Sequence, residues 1–143
     1  MVSDFITFKY DANDNRVWGA SYNGTGDTDD TATALTVDSS GDIYVAGNSA
    51  TGYHSGSDYA IVKYDKNGGQ VWEYSYNGPF KGEDSATALA VDSSGNIYVI
   101  GKSETSVKGN YEFATIKLKP LGSGSDNGQL PGVMVIADVL SAH

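Results

Sequence analysis

Residues 30–47, DTATALTVDSSGDIYVAG, return at 84–101 as DSATALAVDSSGNIYVIG. Each copy is two apolar runs joined by Asp-Ser-Ser-Gly, which reads as a β-hairpin in which Gly41 or Gly95 supplies the positive φ of a tight connection. The copies stand 54 positions apart, and so do Trp18 and Trp72. Working outward, residues 4–10 (DFITFKY) and 16–22 (RVWGASY) form two further strands around the turn 11–15 (DANDN). The same pair returns at 58–64 (DYAIVKY) and 70–76 (QVWEYSY), and its first member once more at 112–118 (EFATIKL). One period therefore holds four strands, 31–37, 42–47, 58–64 and 70–76. Four short antiparallel strands at a period of about 40 to 50 residues, or slightly more, predict an all-β chain built of β-propeller blades.

The bulk composition agrees. Gly, Ser, Thr, Asn and Asp are abundant and no helical periodicity of useful length is present, which suits short strands linked by turns. A formal net charge of −9 over 143 residues repels phosphate backbones and anionic membranes, so neither nucleic acid nor a membrane is expected as a partner. No run is long enough to span a bilayer. The absence of cysteine excludes disulfides, thiolate metal sites and cysteine nucleophiles. The start, Met1-Val2-Ser3-Asp4, enters a strand pattern at once and reads as carrying no signal peptide.

Strand chemistry assigns places in a blade. Strands one and two mix Ala, Leu, Val and Ile on both faces, as strands stacked between neighbouring blades must, whereas strands three and four are expected to be more polar and outer. In strand four, Trp72, Tyr74 and Tyr76 share one face and Val71, Glu73 and Ser75 the other, which directs the aromatics at a neighbouring blade. The expected packing and assembly residues are Trp18, Tyr22, Leu35, Val37, Ile43, Val45, Trp72, Tyr74, Tyr76, Leu89, Val91, Ile97 and Val99, joined at the C-terminus by Val133, Val135 and Ile136.

The combination DYAIVKYDKNGGQVWEYSYNG followed by DSATALAVDSSGNIYVIG resembles the SBBP repeat, a bacterial β-propeller repeat. About half of the aligned positions in the two periods are identical. The resemblance implies part of a large exported or cell-surface protein, with no shared catalytic motif. Little more than two periods are present, too few to close a ring. Residues 1–119 then form a repeat fragment, with periods 4–57 and 58–111 and a partial one at 112–118, and 120–132 is a Gly/Ser-rich linker. The last segment, 133–143, contains the apolar run 133–140 (VMVIADVL).

Incomplete blades at both ends imply association. Apolar blade faces left in water favour burial at about 25 cal/mol per Å², and repeat arrays generally need about three units or caps. Blade-to-blade contact is heterologous, so it closes a ring or grows a filament. Two periods per chain give a ring of three or four chains, with strands one and two of one copy pairing with strands three and four of the next. Alternatively 112–118 keeps its own blade and 133–140 completes it as a late fourth strand. The sequence leaves both arrangements open.

No catalytic set, metal site or cofactor is expected, so the leading reading is a non-enzymatic, self-assembling scaffold. The acidic clusters Asp27, Asp29, Asp30 and Glu83, Asp84 lack the spacing of a calcium loop and read as turn acceptors. His54 and His143 do not repeat, and Ser39-Ser40 and Ser93-Ser94 lie in turns with no activating histidine. The alternative is a surface-ligand or glycan-binding module using the loops 53–57 and 107–111, where the periods diverge most.

Overall fold

The computed structural model describes residues 2–24, 26, 28–50 and 56–120, together with the backbone of 133–136. Among the described residues there are ten β-strands and no helix, arranged in three antiparallel sheets. The first sheet pairs β1 (Phe5–Tyr10) with β2 (Arg16–Tyr22). The second holds β3 (Asp30–Val37), β4 (Ile43–Ala50), β5 (Ser57–Tyr64) and β6 (Gln70–Tyr76) in sequential order. The third is β7 (Asp84–Val91), β8 (Ile97–Glu104), β9 (Tyr111–Pro120) and β10 (Val133–Ile136), again sequential. Several strands outrun their sequence patterns: β4 and β8 continue three residues past Gly47 and Gly101, because all eight residues of each pair with the following strand.

Of the two arrangements left open for the C-terminal blade, the second is the one observed. β9 stays in its own sheet, paired with β8 from Ile97–Leu118 to Glu104–Tyr111. β10 lies along the other edge of β9, with Val133 opposite Pro120 and Ile136 opposite Lys117. It starts at 133, whereas the repeat places a fourth strand near Gly124, and its pairing covers four residues. Residues 121–132 and 137–143 lie outside the described residues, as do the side chains of Val133, Val135 and Ile136.

One turn design closes four of the hairpins, β1–β2, β3–β4, β5–β6 and β7–β8. Asp11, Asp38, Asp65 and Asp92 each donate their backbone N–H to the carbonyl four residues on, at 2.8–3.0 Å. Each carboxylate also accepts the N–H groups of the second and fourth residues beyond it. The residue at the fourth turn position is left-handed. Gly41, Gly68 and Gly95 sit there with φ of 82–89°, and Asp14 takes the same place at φ 64°. The predicted role of Gly41 and Gly95 is thus met. The Asp side chain, which composition alone marked only as a turn former, fixes the loop.

The three sheets stack face to face, and period-2 alternation sorts each strand between two cores. On the second sheet, Ile43, Val45, Ala60, Val62 and Tyr64 face the first sheet and enclose Phe5 and Tyr22, with Trp18 and Ala20 at the margin. Tyr44, Ala46, Tyr59, Ile61, Trp72 and Tyr76 face the third sheet and meet Ala86, Ile97, Val99, Ala114, Ile116 and Leu118. Strand order therefore does not rank burial as expected. β5, a third strand, has six of its eight residues buried, as many as β4, a second strand, while β3, a first strand, is mostly exposed.

Candidate assembly surface

The surface is built from the same repeat positions as the two cores. Tyr59, fully buried at 0%, packs over Gly101, where a Cβ would collide with its hydroxyl and with the Ser85 carbonyl. Its hydroxyl donates to the Ala114 carbonyl at 3.1 Å across the contact between sheets. Burial pushes this phenol's pKa well up. One repeat earlier, Phe5 meets Gly47 in the same way and packs 5.2 Å from the Tyr22 ring. Burial, with smaller contributions from Glu73 and Asp30, raises the Tyr22 phenol to about 12. Trp18 Nε1 and Lys9 Nζ both donate to the Lys66 carbonyl and tie the first sheet to the second. Thr33 Oγ1 donates to the Ala86 carbonyl at 2.6 Å and ties the second to the third.

One repeat later, Phe113 occupies the position of Phe5 and Tyr59 and is 66% exposed. With Ile100, 42% exposed, it marks the outward face of the third sheet. That face also carries Lys117 over the Tyr98 ring and Lys102 over the Tyr111 ring. At the opposite end of the stack Ile6, Phe8, Tyr10 and Val17 are exposed on the outward face of the first sheet. Ile6, Phe8, Tyr10 and Phe113, all on third strands, were not singled out from the sequence, and Tyr111 entered only as the end of the loop 107–111. Their signal was present in DFITFKY, where Phe5 stands on one face and Ile6, Phe8 and Tyr10 on the other, so both faces ask for cover.

The sequence-predicted residues divide accordingly. Tyr22, Ile43, Val45, Trp72, Tyr76, Ile97 and Val99 are buried in the two cores, and Trp18, Tyr74, Leu89 and Val91 pack at their margins. Leu35 and Val37 are 57% and 55% exposed. The aromatic face of β6 is turned inward and Val71, Glu73 and Ser75 are exposed, in line with the alternation.

The acidic residues at the sheet entrances are structural ties. Asp30 Oδ2 accepts the Gly24 N–H at 2.7 Å, and Asp84 Oδ2 accepts the Gly78 N–H at 2.6 Å. Each lies opposite a serine of the next strand, Ser49 or Ser103. Burial is the main influence on Asp84 and raises its pKa, opposed first by the hydrogen bond from the Gly78 N–H. Among the described residues no three His, Cys, Asp or Glu side chains gather as a metal-holding group. Asp27, His54 and the loop residues 53–55 lie outside the described residues, as does His143.

At one end of the third sheet a polar cleft of about 590 Å³ opens between the loops 80–83 and 104–111. Tyr111 Oη donates to Glu83 Oε2 at 2.9 Å, and Glu104 accepts the N–H groups of Gly109 and Glu83. The Gly109 bond, foremost, holds the Glu104 carboxyl below its ordinary pKa.

Antiparallel sheets built on one repeat and stacked face to face, the second and third entered through an Asp-tied loop, define an all-β protein of incomplete propeller blades. Residues 82–105, which take in β7 and β8, match the family model described as SBBP, Beta-propeller repeat. The resemblance read from the sequence is borne out over that span. A comparison with curated proteins gives no match.

Proposed function

We propose that the chain is a non-enzymatic scaffold module that self-assembles head to tail through the outward faces of its first and third sheets. One observation carries this reading. The same kind of contact is made twice inside the chain, and the outermost copies of its residues, Ile6, Phe8 and Tyr10 at one end and Ile100 and Phe113 at the other, remain in water. Ile6 and Phe8 stand where the second sheet has Ala60 and Val62, so this face offers more apolar area than its internal counterpart. The two faces differ, which makes the contact heterologous, so that it closes a ring or grows an open filament.

Light scattering across a concentration series tests the reading. The wild-type chain is expected to exceed monomer mass at micromolar concentration, and Phe8→Asp and Phe113→Asp are each expected to be monomeric. Mixing the two variants should restore a 1:1 dimer, because each retains the face that the other lacks. A wild-type monomer at that concentration sinks the proposal.

A second reading, binding of a surface ligand such as a glycan, is favoured by the cleft beside Phe80 and Tyr111, whose exposed rings and the Glu83 and Glu104 carboxylates offer stacking and hydrogen-bond acceptors. Calorimetric titration of an oligosaccharide panel against the chain and Tyr111→Ala tests it; heats that Tyr111→Ala leaves unchanged speak against this cleft.

A further inference from the structure

β1 is the third strand of its blade, and among the described residues no strand pairs with its second edge. In the other two sheets that edge is fully used: β4 pairs with β5 over eight residues and β8 with β9 likewise. Beside the unused edge lies a groove of about 350 Å³ lined by Ile6, Phe8, Ala32, Ala34, Leu35 and Val45. Its floor is the face of β3 and β4 that looks toward the first sheet, since Leu35 is opposite Val45 and Val37 opposite Ile43.

The chain itself shows what covers such a floor. Ala86, Leu89 and Val91 are the repeat equivalents of Ala32, Leu35 and Val37. Ala86 is buried, and Leu89 and Val91 pack against the core shared with the second sheet, where β3 and β4 lie alongside β5. Ala32, Leu35 and Val37 are exposed because, among the described residues, the first sheet holds only its third and fourth strands. We infer that the groove between β1 and β3 is an acceptor for a two-stranded hairpin of the repeat's own strand-one and strand-two pattern, whose second strand adds to the edge of β1 by backbone hydrogen bonding. A hairpin from outside these 143 residues supplies it. A second copy of this chain does not, because both of its hairpins of this kind, β3–β4 and β7–β8, are already paired along their outer edges by β5 and β9.

The test uses the full chain and a synthetic, end-blocked peptide of residues 84–104. Saturable binding at one peptide per chain, with new amide hydrogen-exchange protection at Ile6 to Tyr10, is the expected result. Leu35→Lys should weaken binding at least tenfold, and Val71→Lys, an exposed position on β6, should leave it unchanged. Fusing residues 84–110 directly ahead of Ser3 recreates the spacing between β8 and β9 and should raise the melting temperature with the same protection of β1. No protection of β1 in either format overturns the inference. So does loss of protection at β9, which means that the peptide exchanges into the third sheet. Protection of β1 that grows with chain concentration in the absence of peptide assigns the groove to a second copy and overturns the choice of partner.

Discussion

The second and third sheets are built from the same repeat, yet one is covered on both faces and the other on one. Tyr59, Ile61 and Ala46 are buried against the third sheet, whereas their equivalents Phe113, Thr115 and Ile100 look outward. Part of the outer face has changed accordingly, with Thr115 in place of Ile61 and Lys102 in place of Asn48. Phe113 and Ile100 have not. What this teaches is that a strand's own pattern states which faces can be buried, and its neighbours decide which are. The same rule explains β3 and β7: Leu89 and Val91 pack because a four-stranded sheet lies beneath them, and Leu35 and Val37 do not because a two-stranded one does.

The sharpest way to break this comparison is to truncate one repeat position twice. Tyr59→Ala empties a fully buried site and removes the bond to Ala114, and should cost about 3–5 kcal/mol. Phe113→Ala, measured by urea unfolding in dilute solution where chains are apart, should stay within about 0.5 kcal/mol. Equal losses mean that the outward face of the third sheet is covered within the monomer, and the distinction between the two sheets fails.

The close approach of aromatic and glycine gives the next largest effect. Gly101→Ala brings a methyl group against the Ser85 carbonyl and the Tyr59 hydroxyl, both held by the second and third sheets. Overpacking of this kind should cost about 1–3 kcal/mol, seen as a lower denaturation midpoint with an unchanged slope. Gly47→Ala, which meets Phe5 and the Thr31 carbonyl, should behave alike, because both sites lie between stacked sheets. A neutral result at Gly101 with a large one at Gly47 shows that the contact of the second sheet with the third is the looser of the two.

Much of this fold was legible in the chain. The 54-residue spacing fixes which strands are equivalent, DSSG marks the hairpins, and the alternation of Trp72, Tyr74 and Tyr76 against Val71, Glu73 and Ser75 gives the buried side of β6. Less legible was the ranking of strands by burial. Residues 58–64 contain Asp, Lys and two Tyr and read as outer, yet Asp58, Tyr59 and Tyr64 are all buried because sheets cover β5 from both sides. Periodicity carries no information on how many neighbours a strand has. Equally hidden was the edge of β1: an unused edge is a property of strand order, and no residue of DFITFKY announces it. The ties of Asp30 to Gly24 and Asp84 to Gly78 join residues six apart across a loop, and composition marks those residues only as turn formers.

Two carboxylates of the third sheet, one inside it and one on its turn, should respond to pH with opposite sign. Burial raises the Asp84 pKa above its unfolded value, so its contribution is fully present below the ordinary carboxylate range and is lost as pH rises through the folded value. Asp84→Asn does not ionise, and its stability relative to wild type should therefore improve from pH 3 to pH 7. The Asp92 pKa is lowered, first by the Asn96 side chain and then by the turn N–H groups, so its contribution is present above the ordinary range and lost as pH falls. Asp92→Asn should accordingly lose ground against wild type over the same interval. Thermal melts at four or five pH values give both slopes; slopes of one sign in both variants contradict the placement of Asp84 inside and Asp92 outside.

The smallest effect separates the turn of the first sheet from the others. Asp14 holds a left-handed backbone at φ 64° where Gly41, Gly68 and Gly95 hold it without a Cβ. A side chain in that region costs roughly 1 kcal/mol, offset in part by the greater freedom that glycine gives the unfolded chain. Asp14→Gly should therefore stabilise by about 0.5 kcal/mol, and Gly95→Ala should destabilise by about 1 kcal/mol. The Asp11 carboxylate would still accept the N–H groups of Asn13 and Asn15, so the hairpin geometry is retained and only the strain at one residue is relieved. If Asp14→Gly is destabilising instead, the Asp14 side chain contributes a contact that the glycine turns lack, and the four turns are not one design repeated.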